Sequence, residues 1–130
     1  MPSVPGFSWT HLGLVVAGGA IGTAARAGLL LINAPAWQAV AVPVINVIGA
    51  FLLGVVTAVV VRRGDTASVR AARMFLGTGV LGGFTTYSTF AVQAMTAAPV
   101  GLTVATAVLG VGAALLGLRM GRARGEGATP

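Results

Sequence analysis

Three features of this 130-residue chain place polar chemistry inside otherwise apolar stretches. The first is the run Gly82-Gly83-Phe84-Thr85-Thr86-Tyr87-Ser88-Thr89-Phe90. Glycine weakens a helix, and Ser/Thr hydroxyls can satisfy the backbone groups that a broken helix frees. Such a break exposes carbonyls and N–H groups that can bind ions. Tyr87 and Phe90 are three apart and share a face if the helix resumes. Ring edges carry partial positive charge and can face an anion. A Thr-rich packing face is the plainer reading of the same residues. The second feature is Asn46, whose amide N–H groups can donate to a dehydrated anion or hold neighbouring helices together. The third is Arg26, in Gly19-Ala20-Ile21-Gly22-Thr23-Ala24-Ala25-Arg26. An arginine at membrane depth is expensive and marks function; near an anion path it raises local anion concentration. Its alternative is snorkelling to the nearer interface.

These residues need a scaffold, and the composition says which. Hydrophobic residues make up 56% of the chain and charged residues 8%. Mean hydropathy is +0.95. A soluble domain of this size carries roughly 25% charged residues, so lipid is the solvent this surface suits. Charge appears only as punctuation. Segments 12–25, 27–61 and 74–118 have none. A spanning helix takes about 20 residues. We therefore expect one domain over 1–124 with spans at 12–32, 38–61, 74–96 and 100–118. Asn33-Ala34-Pro35 and Ala97-Ala98-Pro99 would be turns, and 125–130 a disordered tail. The glycines of the spans suit close helix packing.

Function classes fall away on the same evidence. The chain has no cysteine, so disulfides, thiolate metal sites and cysteine nucleophiles are excluded. Its two acids, Asp65 and Glu126, lie outside the expected spans. A proton-coupled four-span exporter of the small multidrug resistance type needs an embedded carboxylate, and none is available. No nucleophile–base pair or metal cluster lies in the spans, so an enzyme is not expected. We see no cleavable signal peptide. The net charge of +6 comes from eight arginines, no lysine among them. Seven of these fall in the central loop (Arg62, Arg63, Arg70, Arg73) and the tail (Arg119, Arg122, Arg124). The positive-inside rule puts both termini and that loop in the cytoplasm.

Three runs resemble the Fluc (CrcB) family of fluoride channels. Gly19–Arg26 is similar to its GGxxGAxxR run. Asn46-Val47-Ile48-Gly49-Ala50-Phe51-Leu52-Leu53-Gly54 is similar to NxxGSFxxG, and Gly79–Phe90 to GxxGGxTTFSTF. Order, spacing and the four-span layout match over nearly the whole chain. The resemblance implies an all-α membrane protein of four transmembrane helices with a broken third helix, assembling as an antiparallel dimer in the cell membrane. It implies passive fluoride export and fluoride resistance. Asn46 would donate to fluoride. Tyr87 and Phe90 would hold the aromatic positions, Ser88 would lie beside the path, and Arg26 near a vestibule. The carbonyls of Gly82 and Thr85, from both subunits, would hold one central structural Na⁺.

The chain also departs from the pattern. Tyr87 stands for Phe, Ala50 for Ser, and Val42-Pro43 for Thr-Leu, where the proline can kink the second span. The fourth span lacks the expected tyrosine; Thr103 and Thr106 are the candidate track hydroxyls there. The one-sided arginines matter too. Fluc homodimers need dual insertion and hence low bias, whereas paired paralogs of fixed orientation form heterodimers. Both assemblies stay open. So do two other readings of the residues, a four-span transporter of another small solute and a non-conducting assembly subunit.

Overall fold

A computed structural model describes residues 6–85, 92, 95 and 100–126. Helix α1 spans Trp9–Leu30, α2 Pro35–Arg63 and α3 Ala67–Ala72. The chain then widens into a π-helix, Arg73–Leu81, and returns to one α turn, α4, Gly82–Phe84. Helix α5 spans Val100–Glu126. The described residues contain no strand. Three helices, within Trp9–Leu30, Pro35–Arg63 and Val100–Arg124, are long and apolar enough to cross a membrane. The expected third span is described up to Thr85. The Ala97-Ala98-Pro99 turn lies outside the described residues.

Local chemistry sets the helix ends. Ser8 caps α1, its Oγ accepting from the His11 N–H at 3.3 Å. The first span thus starts three residues before the predicted position and ends at Leu30, not Ile32. Pro35 opens α2 from its first position, where the missing N–H has no intrahelical partner to lose. Trp37 Nε1 donates to the Leu29 carbonyl at 2.8 Å and ties the 31–34 connection shut. Helix α2 continues through Pro43 without interruption. It stops at Gly64, whose φ of 77° favours glycine. Thr66 caps α3. Helix α5 runs on to Glu126, so Gly125 and Glu126 are helical rather than part of a disordered tail.

Two helix pairs make up the body, each closed over small residues. In the first, a Cβ on Gly18 would overlap the Phe75 carbonyl, one on Gly22 the Val80 carbonyl, and one on Gly83 the Gly19 carbonyl. Gly79 and Gly18 meet backbone to backbone, with a Cβ on Gly79 only 2.9 Å from the Gly18 Cα. In the second pair a Cβ on Gly54 would overlap the Ala114 carbonyl, and one on Gly117 the Phe51 carbonyl. A Cβ on Gly121 would lie 2.7 Å from that of Ala58. Numbers rise together on both sides of each pair, so the partners are parallel. Lipid offers no hydrophobic drive between helices, and close van der Waals approach takes its place.

This parallel pairing puts the α2–α3 connection and the carboxyl end of α5 at one end of the molecule. Arg62 Nη1 donates to the Arg122 carbonyl at 3.4 Å across that end. Large apolar side chains, among them Val16, Ile21, Leu31, Val108, Leu109 and Val111, are more than half exposed, as a lipid-facing surface requires.

These contacts make the glycines unequal. Gly54→Leu forces a side chain into the α5 backbone, an overpacking cost of about 1–3 kcal/mol or more. Gly28 has open space around its Cα, and Gly28→Ala leaves the fold intact. Thermal unfolding in detergent should show a fall of roughly 5 °C or more for Gly54→Leu and no fall for Gly28→Ala. Equal Tm values for the two variants would contradict the packing described.

Candidate functional site

The centre of the site is the point where the third helix stops. Gly82 itself is helical, with φ −64° and ψ −37°. The backbone leaves the helix at Thr85, with φ −79° and ψ 153°. The Thr85 N–H and its Oγ1 both donate to the Leu81 carbonyl, each at 2.9 Å. The break therefore falls two residues after the glycine pair. Threonine ends the helix by satisfying the last turn with its own hydroxyl. The extended ψ turns the Thr85 carbonyl away from the helix ladder.

That carbonyl accepts from Arg26 Nη1 at 3.3 Å. The Thr85 methyl group sits on Gly49, and the Phe84 ring lies 3.4 Å from where a Gly49 Cβ would be. Gly49 is the midpoint of α2, fourteen residues from either end. The carbonyl and its guanidinium partner are thus level with the middle of the second span. The guanidinium is bonded to the backbone of the break. Its half-buried side chain is held by a peptide dipole at depth. Charge-assisted hydrogen bonds of this kind are the stronger ones.

Asn46 is half-buried on α2, one turn before Gly49. Residues three apart on a helix share a face, so Asn46 and the Gly49 seat of Thr85 belong to one face of α2. Four of the seven sequence-predicted site residues are therefore described. Arg26 and Thr85 bond directly; Asn46 lies a turn from their packing seat; Gly82 sits on the exposed side of α4, where an added Cβ would meet nothing within 4 Å. Tyr87, Ser88 and Phe90 lie outside the described residues.

Sequence reasoning passed over Thr23. Its Oγ1 donates to the Gly83 carbonyl at 3.4 Å, a second polar link from α1 to the break. The available signal was its place one turn before Arg26, on the same face. Thr106, a candidate track hydroxyl, is buried, and its Oγ1 donates to the Leu102 carbonyl at 2.8 Å. Its hydroxyl proton is engaged by its own helix.

The described residues hold no group of three or more His, Cys, Asp or Glu side chains that could bind a metal. What the site presents is one fixed cation, peptide dipoles and hydroxyls, with no carboxylate beside them. Such a set suits an anion near Arg26.

Comparison with known proteins agrees with this chemistry. Residues 13–122 match the family model described as CrcB-like protein, Camphor Resistance (CrcB). A relative from Leifsonia xyli subsp. xyli, named fluoride-specific ion channel FluC 2, is 48% identical over 122 residues, covering 86% of this chain and 83% of its own. FluC 2 of Thermobifida fusca is 40% identical over 127 residues, covering 94% and 90%. FluC of Deinococcus radiodurans is 39% identical over 124 residues, covering 90% and 94%. With the family model matching from within α1 into α5, over most of its length, this chain belongs to the CrcB family.

Proposed function

We infer that this chain is a fluoride-specific ion channel that lets fluoride leave the cell passively and so confers fluoride resistance. The observation that carries the reading is the shared name of relatives up to 48% identical across most of both chains. The polar break level with the middle of α2 supports it. Fluoride is small and strongly hydrated, and a pathway must replace its water with donors. Arg26 supplies positive potential beside the break. Asn46 supplies amide N–H groups on the face of α2 that seats Thr85. Tyr87 and Phe90 supply ring edges, and Ser88 a hydroxyl.

Much of the chain's apolar surface is exposed. The functional unit in this proposal is an antiparallel dimer of four-span subunits in the plasma membrane. It is either a homodimer or a pair with an oppositely oriented paralog. The clustering of arginines at one end favours a fixed orientation, with that end cytoplasmic.

A structural Na⁺ at the dimer centre is part of the same proposal. The donor set fits it in chemistry: Gly82 and Thr85 offer neutral carbonyl oxygens, and Thr85's has left the helix ladder. The Thr85 carbonyl has a second lone pair beyond the one aimed at Arg26. The guanidinium beside it raises the electrostatic cost of a cation there. When bound, such an ion would hold the two breaks together by charge. The chain's own residues position the break that carries these carbonyls: Thr85 by its two bonds to Leu81, and the neighbouring Gly83 by Thr23.

Two experiments follow. The first expresses the chain in fluoride-sensitive cells lacking their own exporter. Wild type restores growth, while Asn46→Leu and Arg26→Gln lower the tolerated fluoride by roughly tenfold or more, as losing a buried donor worth about 1–3 kcal/mol requires. Growth equal to wild type in Asn46→Leu would remove Asn46 from the pathway. The second uses the natural absence of cysteine. A single cysteine at Thr66 should react with an impermeant thiol reagent from the cytoplasmic side alone. Labelling from both sides would establish dual insertion and favour the homodimer.

A further inference from the structure

At the arginine-rich end a cavity of about 340 Å³ opens between α2 and α5. Phe51, Leu52, Val55 and Val59 form one wall, and Met120 belongs to the other. Gly121, Arg62 and Arg124 complete the lining. Phe51, Val55, Val59 and Arg62 follow each other at helical spacing along one face of α2. From Phe51 to Arg62 is eleven residues, roughly 16 Å of helix rise. That is about half of the ~30 Å hydrocarbon thickness, the depth one leaflet's acyl chain reaches. The groove is apolar over its length and cationic at its mouth.

We propose that this groove binds one anionic phospholipid, its acyl chain along Phe51–Val59 and its phosphate between Arg62 and Arg124. Charge complementarity selects an anionic lipid over a zwitterionic one. Arg62, Arg63, Arg119, Arg122 and Arg124 gather at this end, and one acid, Glu126, follows them in sequence. The other acid, Asp65, is already paired with Arg70 at 2.9 Å. Arg62 uses Nη1 on the Arg122 carbonyl, and a guanidinium has five donors in a fork that matches phosphate. Basic pockets between transmembrane helices recognise anionic head groups in this way. The site is separate from the break at Thr85 and does not rest on the fluoride reading.

The test is native mass spectrometry of the purified full chain with equimolar dioleoylphosphatidylglycerol and dioleoylphosphatidylcholine. The chain should retain one phosphatidylglycerol in preference to phosphatidylcholine. Arg62→Gln and Arg124→Gln should each weaken that retention roughly fivefold, with Lys at either position recovering most of it. Val59→Phe, which narrows the groove and leaves the charge unchanged, should weaken it too. Arg119→Gln, outside the groove, should not. Equal retention of the two lipids overturns the proposal. So does an equal loss in Arg119→Gln, which would mean diffuse charge, or a cross-link from Leu52 to a second copy of the chain, which would mean protein covers the groove.

Discussion

A backbone that leaves its helix inside hydrocarbon must find partners for every group it frees. At Thr85 this chain meets that constraint with side chains from its own helix and from α1. Thr85 turns its hydroxyl back onto Leu81, Thr23 reaches the Gly83 carbonyl, and Arg26 takes the Thr85 carbonyl. The last two bonds require α1 to lie against the third helix at backbone distance. That approach is possible only because Gly18, Gly22, Gly79 and Gly83 carry no Cβ. The glycine stripes and the polar break are therefore one device: the stripes bring the helices close enough for the break to be satisfied. The widened π-helical stretch leading into it fits the same picture, since π geometry concentrates at functional sites.

The second helix pair serves a different purpose. Helices α2 and α5 close over Gly54, Ala58, Gly117 and Gly121 and involve no break. They form a stiff rod whose midpoint, Gly49, seats the Thr85 methyl group. The two pairs thus meet where the polar residues are. Arg26 reaches the level of mid-span from a position only four residues before the end of α1. Packing of α1 on the third helix, whose end seats on Gly49, explains how an arginine that near a terminus meets the break.

Much of this was legible in the residues. Uncharged stretches located the helices, Pro35 marked the first connection, and the polar interruptions included Arg26 and Thr85, which the fold brings together. The one-sided arginines anticipated an end at which the α2–α3 connection and the carboxyl terminus meet. Other features left no local mark. The contact between Arg26 and Thr85 joins residues 59 apart, and helical spacing within one element says nothing about its partner. The glycines of the spans said that helices would pack closely, not which ones or in which direction. The π-helix has no side-chain signature, because it differs from an α-helix only in which carbonyl each N–H reaches. The break falls at Thr85 because its hydroxyl terminates the last turn, while the glycines that drew attention remain helical. Fluoride as the ion came from family resemblance; composition and spacing reached only a membrane protein with an ion-binding break.

The central claim is that this chain conducts fluoride and discriminates against other halides. The direct measurement is ion efflux from liposomes containing the purified full-length chain alone, followed in parallel with fluoride and chloride electrodes. The account predicts protein-dependent fluoride release with no matching chloride release. Release of neither ion by well-folded, correctly inserted protein would mean that this chain alone does not form a channel. Equal release of both would contradict the fluoride-specific pathway itself.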